Sequence, residues 1–335
     1  MLPMELRFAR QTALPQLGEE GQERLGEATV LVVGCGALGT HTAEILLRAG
    51  VGRLILVDRD LVEVTNLHRV SLFTPADVGR LKADAAAEAL LRISPEATVT
   101  PHVAHLGPDL AAEIIPGVDL VADGLDNLET RYLVNDVCVK HGIPWIYTAI
   151  LATYGMTMPI LPGAGPCLRC LFPDAPPPGA IPTCAQAGIL GPVPPALSAL
   201  QATAAIQVLA GTPFPPGRLF YLDLWAGRAE TTQVERAADC PCCRRRRFEF
   251  LANPPRAVSL CGDSVQILPR GRRRLDLQDL AVRLARVGAA QVAGDILLVS
   301  IEGVTMTVFR DGRAIVKGVL DPNRAQALYD QYVAG

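Results

Sequence analysis

Apolar residues along this chain fall into short unbroken runs separated by stretches of helical spacing, the order expected of a parallel sheet covered on both faces. Val30 to Val33 is the first run. It ends at Gly34-Cys35-Gly36-Ala37-Leu38-Gly39, and the residues that follow carry Ala43, Leu46 and Leu47 at helical spacing up to a stop at Gly50. Leu54 to Val57 is the second run and ends in Asp58. Ahead of both, Leu14 to Leu25 reads as a short amphipathic helix, with Arg7 and Arg10 in a preceding segment that has no core to join. Downstream, the pattern predicts a helix from Lys82 to Ile93, a strand at Thr98 to Val103, a short helix around Asp109 to Ile115, a buried strand beginning at Val118, and a helix at Leu128 to Lys140. Strands follow at Ile143 to Ala149 and Gly155 to Leu161. An apolar helix at Ala196 to Leu209 and late strands at Leu219 to Leu224 and Thr231 to Glu235 complete this part.

Two changes of texture mark the organisation. Pro162 to Pro195 is rich in glycine and proline, a long irregular excursion of the kind that usually carries function inside a compact domain. Past Phe250, with Asn253-Pro254-Pro255 as the boundary, strands at Ser264 to Leu268, Ile296 to Ile301, Met306 to Arg310 and Ala314 to Val316 alternate with helices at Leu277 to Val287 and Asn323 to Tyr332. Asp311-Gly312 is a hairpin signal. The expected fold is α/β: residues 1–252 form a Rossmann-like sheet with helices on both faces and a structural zinc site, and residues 253–335 form a small C-terminal α+β domain.

Composition narrows the function classes. Half of the 335 residues are hydrophobic, enough for a substantial core, and a net charge of −3 gives no electrostatic case for broad nucleic-acid binding. The clusters Arg244 to Arg247 and Arg270 with Arg272 to Arg274 have no interleaved aromatics and read as solvated loops. The first residues lack a signal-peptide core, and no apolar run reaches membrane-spanning length, so a cytoplasmic location is expected. Without an export signal, nine cysteines argue for metal or thiol chemistry over a disulfide framework.

The candidate chemistry gathers at strand ends. Strand, glycine turn, helix, strand and an acid nineteen residues past the last glycine form a nucleotide-binding unit, in which the helix N-terminus offers free N–H groups to an anion. Asp58 suits a ribose hydroxyl. The polar segment to Arg69 supplies Asn66 and Arg69 for phosphate oxygens, and Lys82 opposes the dipole of the helix it opens, which argues for a task. Asp126 either holds a magnesium ion or caps the following helix. Cys184 lies in the Gly/Pro-rich excursion, where an exposed thiol would be a nucleophile candidate. Cys167-Leu168-Arg169-Cys170 and the pair within Cys240 to Cys243 read as a four-thiolate zinc site, with Cys240 and Cys243 as ligands by spacing and Cys242 as the alternative.

The segments Arg7 to Gln11, GCGALG, Asp58 to Arg69, Lys82, Gly124-Leu125-Asp126-Asn127, the two CxxC pairs and Thr183-Cys184 together resemble the ThiF/MoeB family over about residues 5 to 250. These are adenylyltransferases related to ubiquitin-activating enzymes. The resemblance implies an enzyme that uses ATP and magnesium to adenylate the C-terminal glycine of a small ubiquitin-like sulfur carrier ending in Gly-Gly. It assigns Gly34, Gly36 and Gly39 to the nucleotide loop, Asp58 to the ribose, Asn66, Arg69 and Lys82 to phosphates, Asp126 to the magnesium, and Asn127 to the nucleotide-binding set. Arg10 matches an arginine supplied by the other subunit of a homodimer, and Cys184 a cysteine that in some members links covalently to the carrier. Ala37 and His68 depart from the pattern, and any sulfur must come from a separate donor. The carrier could serve thiamin, molybdopterin, tRNA thiolation or cysteine synthesis. Competing readings are a related dehydratase acting on modified tRNA, an NAD-dependent oxidoreductase, and a zinc-stabilised scaffold.

Overall fold

In the computed structural model, which describes residues 4–176, 184–252, 257–259, 264–269, 274–294, 296–319 and 321–334, the chain divides into two compact units. One comprises Met1–Ala175 and Gly188–Pro254, the other Pro176–Ala187 and Pro255–Gly335.

The first unit runs α1 (Met4–Thr12), α2 (Gly18–Glu27), β1 (Thr29–Val33), α3 (Ala37–Arg48), β2 (Arg53–Asp58), α4 (Lys82–Ile93), β3 (Thr98–Val103), α5 (Pro108–Ile114), β4 (Leu120–Asp123), α6 (Leu128–His141), β5 (Trp145–Leu151), β6 (Tyr154–Ile160) and α7 (Leu168–Leu171). After α8 (Cys184–Ala187), which belongs to the second unit, come α9 (Val193–Leu209), β7 (Arg218–Asp223), β8 (Arg228–Gln233) and α10 (Glu249–Ala252). The eight strands form a mixed sheet in the order β3-β2-β1-β4-β5-β6-β7-β8. Pairings from β3 to β5 are parallel and those from β5 to β8 antiparallel.

The alternation of side chains along β1 explains the two layers. Val30 and Val32 point into a core with Ala43, Leu46 and Leu47 of α3, Ala86 and Leu90 of α4, and Ala202 and Ala205 of α9. Leu31 and Val33 point to the other side, onto Ala111 of α5 and Tyr132, Val134 and Val137 of α6. The order reverses between β1 and β4, so the crevice at their carboxyl ends is where such sheets bind ligands. The N-terminal segment differs from expectation. It is helical, and Phe8 is buried against Gly50, where a Cβ would stand 2.9 Å from the ring, while Gln11 Nε2 donates to Ala49 O at 2.7 Å.

The second unit contains a six-stranded antiparallel sheet, β11-β12-β13-β14-β10-β9, built from β9 (Ala257–Ser259), β10 (Ser264–Ile267), β11 (Ala289–Ala293), β12 (Ile296–Ile301), β13 (Val304–Phe309) and β14 (Ala314–Lys317). With α11 (Leu277–Leu284) and α12 (Pro322–Tyr332) it encloses a core that includes Val265, Ile267, Leu297, Val299 and Tyr329. The Asp311-Gly312 hairpin joins β13 to β14, with Gly312 at φ +85°. Strands β9 and β11 are additions to the sequence reading. The proposed boundary at Asn253 to Pro255, Cys261, Arg270, Arg272 and Arg273 lie outside the described residues. Among the described residues no helix is long and apolar enough to cross a membrane.

Candidate functional site

The glycines of the loop after β1 have separable tasks. Gly34 takes φ +93°, and its N–H donates to Val57 O at 2.8 Å. A Cβ on Gly34 would lie 2.5 Å from Gly124 O, one on Gly39 would lie 1.7 Å from Gly34 O, and one on Gly124 2.3 Å from that same oxygen. Gly34, Gly39 and Gly124 therefore let the β1 loop, α3 and the β4 loop touch backbone to backbone at the switch point. Gly36 is different, since a Cβ there would meet nothing within 4 Å. It stands at the N-cap of α3 with no side-chain cap, so no capping side chain takes the first N–H groups of the helix and the space beside Gly36 is open, a natural anion seat.

At the end of β2, Asp58 is held by backbone donors, Cys35 N to Oδ2 at 2.6 Å and Asp60 N to Oδ1 at 2.7 Å. Burial pushes its carboxyl above the usual range, with Lys82 opposing. Each oxygen retains acceptor capacity for a hydroxyl. Lys82, the first residue of α4, places Nζ 3.4 Å from Asp60 Oδ2. Burial alone would lower its pKa, but Asp60, Asp58 and Asp126 outweigh that and hold it above the ordinary lysine value, so the ammonium stays charged. Asn66 and Arg69 brace their own loop. Asn66 Oδ1 accepts from Glu63 N at 3.1 Å, and Arg69 Nη1 donates to Thr65 O at 2.6 Å, leaving most of the guanidinium's donors for other partners.

The two roles open to Asp126 separate in the structure. Asn127 is the N-cap of α6, its Oδ1 accepting from Thr130 N at 2.9 Å, whereas Asp126 is exposed and accepts from Asn127 Nδ2 at 3.1 Å. Asp126 thus presents an uncapped carboxylate on the ligand edge, near enough to Lys82 to act on its charge. Its oxygens suit a hard divalent cation.

Behind this loop lies a buried polar network that sequence reasoning missed. Arg131 Nε donates to Asp123 Oδ2 at 2.9 Å, and its Nη2 to Leu125 O at 2.5 Å and Thr148 O at 2.8 Å. Asp123 Oδ1 accepts from Leu125 N at 2.9 Å. From α9, Gln201 Oε1 accepts from Asp123 N at 3.1 Å and Thr148 Oγ1 at 2.7 Å, while Nε2 donates to Thr42 Oγ1 at 2.7 Å and Asp123 O at 3.1 Å. The available signal was a charged pair at i and i+8 around a buried strand end, without a motif to single it out.

Arg10 is not brought to this cluster within the chain. It is exposed on α1, which packs at the carboxyl end of α3, with Arg7 of the same helix donating to Ile93 O at the end of α4. Gly36 and Lys82 lie at the opposite ends of those two helices, and twelve residues span about 18 Å.

The sulfurs of Cys167, Cys170, Cys240 and Cys243 all lie within 4.8 Å of one another. Cys167–Cys240 and Cys170–Cys243 are each 3.6 Å apart, far beyond a disulfide and close to the edge of about 3.8 Å that a tetrahedron with Zn–S bonds near 2.3 Å requires. The four thiols could therefore hold a zinc ion. Arg236 Nε, 3.4 Å from Cys243 Sγ, offsets the negative charge of such a cluster. Cys242 stands outside the quartet and accepts from Asn135 Nδ2 at 3.2 Å. Cys184 begins α8, and its side chain lies outside the described residues.

Known proteins resemble this chain over most of its length. The model of the ThiF family matches residues 8–242. The "Sulfur carrier protein ThiS adenylyltransferase" of Bacillus subtilis (strain 168) is 39% identical over 336 residues, covering 98% of this chain and 99% of that protein. The "Sulfur carrier protein adenylyltransferase" of Thermus thermophilus is 44% identical over 243 residues, covering 71% of this chain and 90% of the relative. Among solved structures, that of E. coli MccB with ATP shares the fold at a TM-score of 0.58 and 24% identity, over 67% of this chain and 68% of that one.

Proposed function

Because the chain belongs to the ThiF family, we propose that it is an ATP-dependent adenylyltransferase. Its substrate is the C-terminal glycine carboxylate of a small ubiquitin-like sulfur-carrier protein, which it converts to an acyl-adenylate with release of pyrophosphate. The observation that carries this reading is the end-to-end match to the Bacillus subtilis sulfur-carrier adenylyltransferase, which extends through both units of this chain.

The site geometry supports the chemistry. A carboxylate oxygen of the carrier attacks the α-phosphorus of ATP; the new P–O bond forms as the bond to the β-phosphate oxygen breaks, and pyrophosphate leaves with the electron pair. The nucleophile is ionised at neutral pH, so no general base is required. The difficulty is bringing anions together, and cations and positioning reduce it. Gly36 and the α3 N-terminus seat phosphate oxygens, Asp58 accepts from the ribose, and Lys82, Asn66 and Arg69 face the phosphates. Asp126, with Asn127 beside it, would hold a magnesium ion, which when bound screens the polyphosphate charge. Arg10 adds a charge from a second copy of the chain in a homodimer, since the site in its own chain lies about one helix length, roughly 18 Å, away. The Cys184 thiolate then attacks the acyl carbon of the adenylate, forming a thioester as AMP leaves, or the adenylate passes intact to a separate sulfur donor, and zinc at the four cysteines is structural.

The test is exchange of labelled pyrophosphate into ATP. It should depend on a carrier ending in Gly-Gly and disappear when that terminus is removed. ATP binding without exchange for any such carrier would refute the reading.

A further inference from the structure

The geometry points to Arg131 as a positioning residue: together with Asp123 it fixes Leu125, the residue that precedes Asp126, and so sets where that carboxylate stands relative to Lys82. The inference rests on the reading of Asp126 as the carboxylate that holds magnesium. Both backbone polar groups of Leu125 are taken by one ion pair, its N–H by Asp123 Oδ1 at 2.9 Å and its carbonyl by Arg131 Nη2 at 2.5 Å. Asp123 and Arg131 are 1% and 6% exposed. A buried ion pair is a poor device for stability, because apolar residues of similar volume do as well or better. This pair is also rooted in separate elements, β4 and α6, with the carbonyl of Thr148 in β5 gripped by the same Nη2 at 2.8 Å. What it secures is the register of two consecutive loop peptides, those on either side of Leu125, against three elements of the sheet edge. Asp126 is itself exposed, and among the described residues the one hydrogen bond it shares with a neighbour comes from Asn127. Its direction therefore depends on the peptide before it.

The test measures ATP binding by calorimetry across a Mg2+ series, with no carrier present. Arg131→Lys keeps a charge opposite Asp123, but one nitrogen cannot reach Asp123, Leu125 O and Thr148 O together. The Mg2+ midpoint should rise about tenfold, the size expected when the partner of a metal-holding carboxylate is disturbed, with metal-free ATP affinity unchanged. In an Asp126→Asn background the same substitution should add nothing, because its effect passes through Asp126. If Arg131→Lys does not fold, Asp123→Asn, which keeps the volume and an acceptor for Leu125 N–H while weakening the hold on Arg131, carries the same comparison. A folded variant with the wild-type Mg2+ midpoint, a full effect in the Asp126→Asn background, or wild-type ATP binding insensitive to Mg2+ would overturn the inference. Loss of carrier-dependent exchange alone, with Mg2+-dependent ATP binding intact, counts against the adenylation reading and leaves this one standing.

Discussion

Gly36→Ala and Gly39→Ala, three positions apart in one loop, should fail in opposite ways. At Gly36 the backbone (φ −85°, ψ −151°) is open to alanine, and the new methyl group meets no protein atom within 4 Å. Loss of the N-cap preference for glycine costs roughly 0.5 kcal/mol, and the stiffer unfolded chain returns roughly 0.4–1 kcal/mol, so stability should be nearly unchanged. The methyl group instead occupies the space through which a phosphate approaches the α3 N-terminus. Losing two backbone hydrogen bonds to an anion, each worth about 1.5 kcal/mol or more, should weaken ATP binding at least a hundredfold. At Gly39 the methyl would stand 1.7 Å from Gly34 O. Ordinary contact is twice that distance, and the oxygen cannot retreat, because Gly124 lies against the same atom. The cost belongs at the upper end of overpacking, about 3 kcal/mol. Urea unfolding and ATP titration on the two proteins separate these outcomes. Wild-type ATP affinity in Gly36→Ala, or wild-type stability in Gly39→Ala, would refute the division of labour.

Three further outcomes follow from the geometry. Asp126→Asn should leave stability within about 0.5 kcal/mol while abolishing pyrophosphate exchange, whereas Asn127→Ala should cost about 1 kcal/mol through loss of the α6 cap; thermal melts and exchange assays distinguish them. Metal analysis of the wild type should find one zinc per chain; Cys170→Ser or Cys243→Ser should lose it and melt roughly 10 °C lower, on a few kcal/mol of lost loop closure, and Cys242→Ser should keep it. Asp77 accepts from Thr74 N at 2.9 Å and from Arg80 Nη1 at 2.9 Å, and the Thr74 N–H, with its hydroxyl and Arg80 adding, holds the carboxyl below the usual range. The unfolded chain then binds more protons in acid, so the advantage of wild type over Asp77→Asn, about 1 kcal/mol at pH 7, should shrink as pH falls below about 4. A difference independent of pH would contradict the assignment.

Much of the fold was legible because the central strands are buried on both faces and read as continuous apolar runs. Lys82–Ile93, Thr98–Val103 and Ile296–Ile301 were bounded correctly. Strand β11, Ala-Ala-Gln-Val-Ala, escaped because alanine carries little strand signal. The packing of α1 rests on Phe8, and a lone aromatic in a charged segment has no periodicity to reveal it. At the site, the glycines and Lys82 were visible as local pattern. Whether Asp126 caps α6 was not, because an aspartate ahead of a helix serves as cap or cation ligand equally well, and only the geometry shows Asn127 in the cap position. The Arg131 network was invisible for a different reason: Gln201 meets Asp123 across 78 residues of sequence, and no local rule spans that distance.

The four-cysteine cluster joins positions 73 residues apart in sequence, both between Cys167 and Cys240 and between Cys170 and Cys243. All of α9 lies inside the ring that an ion there would close. That helix delivers Gln201 to Asp123 and Ser198 Oγ to Leu38 O at 3.0 Å, on the first turn of the nucleotide-loop helix. A metal site with no chemistry of its own would thus govern how far the back wall of the nucleotide pocket can stray. Slow metal stripping should therefore erode ATP affinity before it unfolds the sheet.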